Sequence, residues 1–185
     1  MNTIKLRFFP IGLALILIAL MLRTGRAADD STLTKVGDKS PVASVRTIDG
    51  KEVKLEGQVV VLNFFATWCG PCMSEMPHLQ KELWEPLEKK GLILIAVGRE
   101  HTEAEVKAFK DKKGLTFAFV ADPKREVFGK FATQSIPRCV LIGKDGHIKY
   151  QSIGFEVAEF GKLVDGVKQE LDKPKDSAAA KQPAP

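Results

Sequence analysis

Residues 59–77 read VVVLNFFATWCGPCMSEMP, and the fold and chemistry of the chain both turn on them. Val59–Phe65 is an apolar run of the kind expected for a strand covered on both faces. Helix-like sequence is expected from Met73 to about Lys90, closed by Gly91, with Leu79, Leu83 and Leu87 supplying a buried stripe every four residues. Cys69 and Cys72 therefore fall at a strand-to-helix junction, separated by Gly70 and Pro71.

Several chemistries use such a pair, and the rest of the chain removes most of them. Zinc needs four ligands, usually two such pairs or one pair with regularly spaced histidines. Here Cys139 is the only other cysteine, and His78, His101 and His147 are scattered, so no metal site is expected. Haem attachment needs a histidine directly after the second cysteine, where Met73 stands. A peroxide-reducing thiol is ordinarily preceded by Thr or Ser three residues earlier and Pro seven residues earlier, where this chain has Ala66 and Leu62. A purely structural disulfide closing so small a loop would remove little unfolded-chain entropy. Redox chemistry remains. At a helix N-terminus, unpaired N–H groups and the helix dipole favour the thiolate of Cys69, the reactive form. Cys72, one turn in, is placed to attack the mixed disulfide that Cys69 forms with a partner.

Outward from this stretch, the 185 residues suit one domain with attachments at its ends, and the 44% hydrophobic and 28% charged composition is that of a globular protein. A polar lead-in is expected over residues 28–36. Pro41–Ile48 and Lys51–Leu55, joined at Asp49-Gly50, read as a β-hairpin. Further strands are expected at Leu92–Val97, Leu115–Val120, Arg138–Ile142 and His147–Ile153. Helices are expected from the capping box at Thr102 and Glu105 to Lys113, as a short piece over Lys124–Phe131, and over Glu156–Leu171 with Phe160, Leu163, Val164 and Val167 inward. Strands alternating with helices argue for an α/β sheet with helices on both faces. Cys139 is expected to fill core space as a small apolar side chain. Trp84 and the strand phenylalanines are expected in the core and the histidines on the surface. Residues 173–185 (KPKDSAAAKQPAP) lack any large apolar group and read as a disordered tail.

Four of the five net positive charges belong to the first 27 residues, which hold Lys5, Arg7, Arg23 and Arg26 and no acid. Taking these four from the 28 basic residues leaves 24 against 23 acidic ones, so no electrostatic footprint for nucleic acid remains. The same segment is built as a leader: a basic start, an apolar run Ile11–Leu22, and Gly25-Arg26-Ala27 with small residues at −3 and −1 of a cut after Ala27. With Phe8 and Phe9 the greasy stretch is fifteen residues long, short of the roughly 20 that a spanning helix needs. Residues 1–27 are thus expected to be a signal peptide, or else an N-terminal membrane anchor, the only membrane contact foreseen. Either places the body in a periplasmic or extracytoplasmic compartment, where disulfides persist.

VVVLNFFATWCGPC followed by Pro77 resembles the active-site segment of the thioredoxin superfamily. The preceding hairpin, Asn63 in VLNFFATWC, the CxxCxxEMP continuation and an extra strand around Phe117–Val120 resemble the TlpA/ResA-like extracytoplasmic thiol–disulfide oxidoreductases. The resemblance covers residues 37–172 and implies a thioredoxin-like fold: a central mixed sheet flanked by helices, with an N-terminal hairpin extension. It makes Cys69 the nucleophile and Cys72 the resolving thiol, Trp68 the bordering aromatic, and Gly70-Pro71 the intervening dipeptide. Pro137 falls where the superfamily has a proline with a cis peptide bond, presenting the backbone of Ile136 to a substrate strand. Just upstream, Ser135 replaces a residue that is often Gly. Asn63 replaces a buried aspartate, and because an amide cannot carry the proton, Glu75, one turn beyond Cys72, is the expected proton handler.

The function expected from this is an exported, cofactor-free protein-disulfide reductase. Its clients would be disulfide-containing envelope proteins such as apocytochrome c, and its electrons would come from a membrane donor of the DsbD or CcdA kind. The alternatives are an envelope oxidant or isomerase using the same residues, and a non-enzymatic partner- or copper-binding module.

Overall fold

The computed structural model describes residues 31–174. The expected leader and all of the expected tail beyond Pro174 lie outside the described residues. Among the described residues no helix is long and apolar enough to cross a membrane.

Strand β3 (Val59–Phe65) is buried at all seven positions and lies at the centre of a five-stranded sheet. The sheet order is β5-β4-β3-β6-β7, with β4 (Leu92–Arg99), β5 (Ala118–Asp122), β6 (Arg138–Ile142) and β7 (Ile148–Ile153). β3, β4 and β5 run parallel, while β6 and β7 are antiparallel additions on the other side. β1 (Ser44–Arg46) and β2 (Glu52–Lys54) form the expected hairpin as a separate two-stranded sheet.

The two-residue period of β3 splits its side chains between two cores. Val59, Val61 and Phe65 join one face, together with buried residues from α1 (Gly70–His78), α2 (Glu103–Lys113) and α3 (Val157–Asp172). Val60, Leu62 and Phe64 join the other, against Val42, Val45 and Leu55 of the hairpin region and Phe128 and Phe131. All three long helices thus bury their side chains on one face, where helices on both faces were expected. The Lys124–Phe131 helix does not form. Asp122 accepts hydrogen bonds from the backbone N–H of Val127 and Phe128, Arg125 takes a left-handed φ of 59°, and only a 3₁₀ turn, Phe128–Lys130, remains. That turn still delivers Phe128 and Phe131 to within 5.4 and 5.3 Å of the Phe64 ring.

Two other elements differ from expectation for local reasons. Leu115 belongs to the stop of α2, its N–H returning to Lys110 O beside Gly114 at φ 63°, so β5 begins later, at Ala118. The helix expected from Met73 already starts at Gly70 and is α-helical only to His78. It continues as a π-helical stretch, Leu79–Trp84, in which Glu85 N–H reaches back to Gln80 O, then a short α segment and a 3₁₀ turn. Pro77 and Pro86 cannot donate backbone hydrogen bonds, so the α ladder loses two rungs here.

The polar lead-in is tied to the body. Leu33 N–H donates to Phe131 O, Thr32 bridges to Ala132, and Ser31 is buried. Arg138, fully buried on the hairpin side of the sheet, donates to Thr32 Oγ1 at 2.9 Å and Ser31 Oγ at 3.2 Å. Ser135, the departure from Gly noted above, adopts φ 70°. A side chain in the left-handed region costs about 1–2 kcal/mol, partly offset by the entropy that Gly adds to the unfolded chain. Ser135→Gly is therefore expected to raise stability by about 0.5–1 kcal/mol, read as a higher urea midpoint at unchanged slope. An unchanged or lower midpoint would contradict this.

Candidate active site

At the end of β3 the chain turns through Ala66-Thr67-Trp68, and Cys69 caps α1. Cys69 has extended backbone angles, φ −85° and ψ 107°, and its Sγ accepts a hydrogen bond from Cys72 N–H at 3.2 Å. Gly70 and Pro71 open the helix, where a proline's missing N–H costs nothing because that donor would have no helical partner. Cys69 and Cys72 are joined in a disulfide with an S–S distance of 2.04 Å. Cys72 is fully buried and Cys69 is 6% exposed. Beside them Trp68 is 66% exposed, with the Arg99 guanidinium 5.9 Å from its ring centroid.

The loop has an anchor that the sequence did not reveal. His101 is buried rather than on the surface, and its Nε2 accepts the N–H of Thr67 at 2.9 Å. Nε2 is therefore the unprotonated nitrogen of that ring. His78 and His147 are half-buried. Trp84 is at the rim of the core, with its indole N–H on Thr116 Oγ1 at 3.0 Å.

Beneath the helix the sheet register does the assembling. β3 pairs with β6 so that Asn63 faces Cys139, and β6 pairs with β7 so that Cys139 faces Ser152. Asn63 shares its strand face with Val61 and Phe65, the face that α1 covers. Glu75, on the buried side of α1, reaches this row. Asn63 Nδ2 donates to Glu75 Oε2 at 2.7 Å and to Cys139 Sγ at 3.3 Å, and the Cys139 thiol donates to Glu75 Oε1 at 3.4 Å. Cys139 is thus more than the apolar filler expected of it: it is a polar member of a closed cluster. Asn63 Oδ1 is buried without a partner, a cost of about 1–3 kcal/mol accepted in an arrangement that turns the amide's donors toward Glu75 and Cys139.

Burial raises the Glu75 carboxyl from the ordinary 4.5 to about 7, against the opposing pull of the Asn63 and Cys139 hydrogen bonds and the nearby His78. The group therefore exchanges its proton in the neutral range, as a general acid–base must. Burial and the adjacent Glu75 push the Cys139 thiol well above its usual value, so it stays protonated and remains a donor.

The Ile136–Pro137 peptide bond is cis. Phe64 pairs with Arg138 across the antiparallel β3–β6 ladder, so Ile136 and Pro137 enter the sheet at the end of β3 that leads into Cys69. Ile136 packs on the core cluster that contains both Cys69 and Cys72, and Pro137 O accepts from Gly154 N–H at 2.8 Å.

A family model described as the AhpC/TSA family matches residues 36–151. The thiol-disulfide oxidoreductase ResA of Bacillus thuringiensis (strain Al Hakam) is 34% identical over 133 residues, covering 70% of this chain and 76% of its own. The protein of the same name from Oceanobacillus iheyensis is 34% identical over 150 residues, 76% of this chain and 78% of its own. Among solved structures, a Bacteroides thetaiotaomicron protein provisionally assigned as a protein disulfide isomerase has a TM-score of 0.73 at 32% identity, over 77% of this chain and 94% of that one. A Chlorobium tepidum protein provisionally assigned as the thiol:disulfide interchange protein DsbE has a TM-score of 0.63 at 28% identity, over 74% and 98%.

Proposed function

Because the chain belongs to the thioredoxin-like AhpC/TSA family and is a thiol–disulfide oxidoreductase of the ResA type, we propose that it runs in the reducing direction on disulfides of exported client proteins. The family match does not revive peroxide chemistry, since Ala66 and Leu62 still stand at the two positions that such a thiol needs filled otherwise.

The observation that carries the proposal is the cap: Cys69 Sγ accepts from the first turn of α1, while Cys72 and Glu75 are both buried. In the dithiol form, the donors at the helix start favour the Cys69 thiolate. It attacks one client sulfur and forms a Cys69–client mixed disulfide, while the client S–S bond breaks and the other client sulfur leaves as a thiolate. Cys72 then attacks Cys69 Sγ, releasing the second client thiolate and forming the Cys69–Cys72 bond. Glu75 takes the proton from Cys72 in this second step and returns it when the pair is reduced again. The client disulfide gains two electrons and the Cys69–Cys72 pair loses them, so a donor dithiol must reduce the pair again. Trp68, Gly70, Pro71 and the Ile136 backbone beside Pro137 make the client-facing surface.

The Gly-Pro dipeptide, shared with reducing thioredoxins, supports the donor direction. The basic, apolar leader supports an extracytoplasmic setting, with a DsbD- or CcdA-like membrane donor and clients such as apocytochrome c. A Cys72→Ser protein is the test, since it can form the mixed disulfide and cannot resolve it. It is expected to accumulate client adducts on Cys69 in the exported compartment, identifiable by mass spectrometry and released by dithiothreitol. Absence of adducts would overturn the proposal. So would a reduction potential for the wild-type pair near the roughly −120 mV of a strong oxidant rather than the roughly −270 mV of a thioredoxin.

A further inference from the structure

We propose that Cys139 is a positioning residue for Glu75: its thiol hydrogen holds Oε1 while the Asn63 amide holds Oε2, so the carboxyl group is fixed in one orientation on the sheet face beneath α1. The proposal rests on the reading of Glu75 as the group that takes the Cys72 proton.

The third cysteine has no disulfide partner and is fully buried. A residue needed only to fill space there would make no directional contact. Cys139 makes two: it donates to Glu75 and accepts from Asn63, while its strand position faces Ser152 of β7. Its thiol does not ionise in the working range, for the reasons given above, so the donor is permanent. Asn63 has no amide proton left to replace it, because Nδ2 serves both Glu75 and Cys139. The two donors hold both oxygens of one carboxylate, which fixes its plane as well as its position.

The groups that face Glu75 and Cys139 are few. His78 lies on the same helix as Glu75, Asn63 comes from β3, and Tyr150 and Ser152 of β7 approach Cys139. None of them supplies a substitute donor at Oε1, so losing the thiol hydrogen leaves the carboxylate less well held. Its charged form becomes harder to reach, and its titration moves upward.

The test uses the oxidised full-length protein with ¹³C-labelled glutamate, the Glu75 signal being the one lost in Glu75→Gln. Cys139→Ala is expected to raise the Glu75 midpoint by about 0.5–1 pH unit, and Cys139→Ser, which retains an O–H donor, to move it back toward wild type. In stopped-flow measurements of mixed-disulfide resolution, the alkaline-going limb of the pH profile should move with it, giving roughly 2- to 5-fold slower resolution at pH 7 in Cys139→Ala. Thermal unfolding of each variant checks that it is folded. A Glu75 midpoint unmoved in folded Cys139→Ala overturns the proposal. A Glu75→Gln protein whose resolution rate and pH profile match wild type would instead overturn the proton-transfer role, with the Cys139–Glu75 coupling still read from the NMR midpoint.

Discussion

A Cys69→Ser protein is expected to fold normally and to lose protein-disulfide reduction by roughly 10³-fold or more. The fold should survive for two reasons. Serine is among the best helix N-caps, so its Oγ can take over the hydrogen bond that Cys69 Sγ now receives from Cys72 N–H. The lost disulfide closes a loop with a sequence separation of 3, which constrains the unfolded chain little. The activity should not survive, because a serine hydroxyl in this setting has neither the acidity nor the nucleophilicity of the capped thiolate. The other two thiols cannot substitute: Cys72 and Cys139 are both fully buried, and Cys139 is held protonated. Insulin reduction by the variant, beside its melting temperature and that of the reduced wild type, makes the measurement. Activity within tenfold of wild type in a folded Cys69→Ser protein would mean that the attacking group lies elsewhere.

The CGPC pair to which the exchange is assigned was legible in the sequence, whereas the polar cluster beneath it was mostly not. A seven-residue apolar strand, a CGPC pair and a capping box at Thr102 and Glu105 are local patterns, each dictated by near neighbours in the chain, and β3, the α1 cap and α2 appear where those patterns put them. The polar cluster depends on pairing at a distance. Asn63 and Cys139 lie 76 residues apart, and only the antiparallel register of β3 and β6 brings them side by side. The one usable signal was the two-residue alternation of Val59–Phe65, which puts Asn63 on the same strand face as Val61 and Phe65 and so demands a polar partner there. His101 gave even less warning. It precedes the Thr102 cap as an ordinary polar residue, and its role follows from the approach of the Thr67 loop. Pro77 and Pro86 did mark the helix in which the α ladder fails, though the leucine spacing concealed it. Lys124–Phe131 failed as a helix because the Asp122 carboxylate, an irregular cap at the strand end, captured its first N–H groups.

Replacing Glu75 with glutamine is expected to stabilise the protein at neutral and alkaline pH while slowing its chemistry, a combination that follows from one buried proton. In the folded protein the Glu75 carboxyl titrates at about 7, against an ordinary 4.5. The folded state thus holds the proton more tightly than the unfolded chain. Below about pH 4.5 both states are protonated and no difference arises. Between there and about pH 7 the unfolded chain has released a proton that the folded state keeps, so stability falls as pH rises. At about 1.4 kcal/mol per unit, the full fall is roughly 3 kcal/mol. Glutamine is nearly isosteric and does not titrate. Its carbonyl can accept from Asn63 Nδ2, which now serves Oε2. Wild type and Glu75→Gln should therefore have similar stability near pH 4.5 and separate by about 2–3 kcal/mol in favour of the variant at pH 8. The comparison is made by urea unfolding of the oxidised proteins, and it cancels the titrations that both share. Resolution of the mixed disulfide should run the other way, about tenfold or more slower in the variant at pH 7 and converging with wild type as the Cys72 thiol ionises on its own. A buried acid kept at this cost is what the proposed proton transfer requires. If the two stability curves stay parallel from pH 4.5 to 8, Glu75 is not the strained acid described above, and its burial has a different origin.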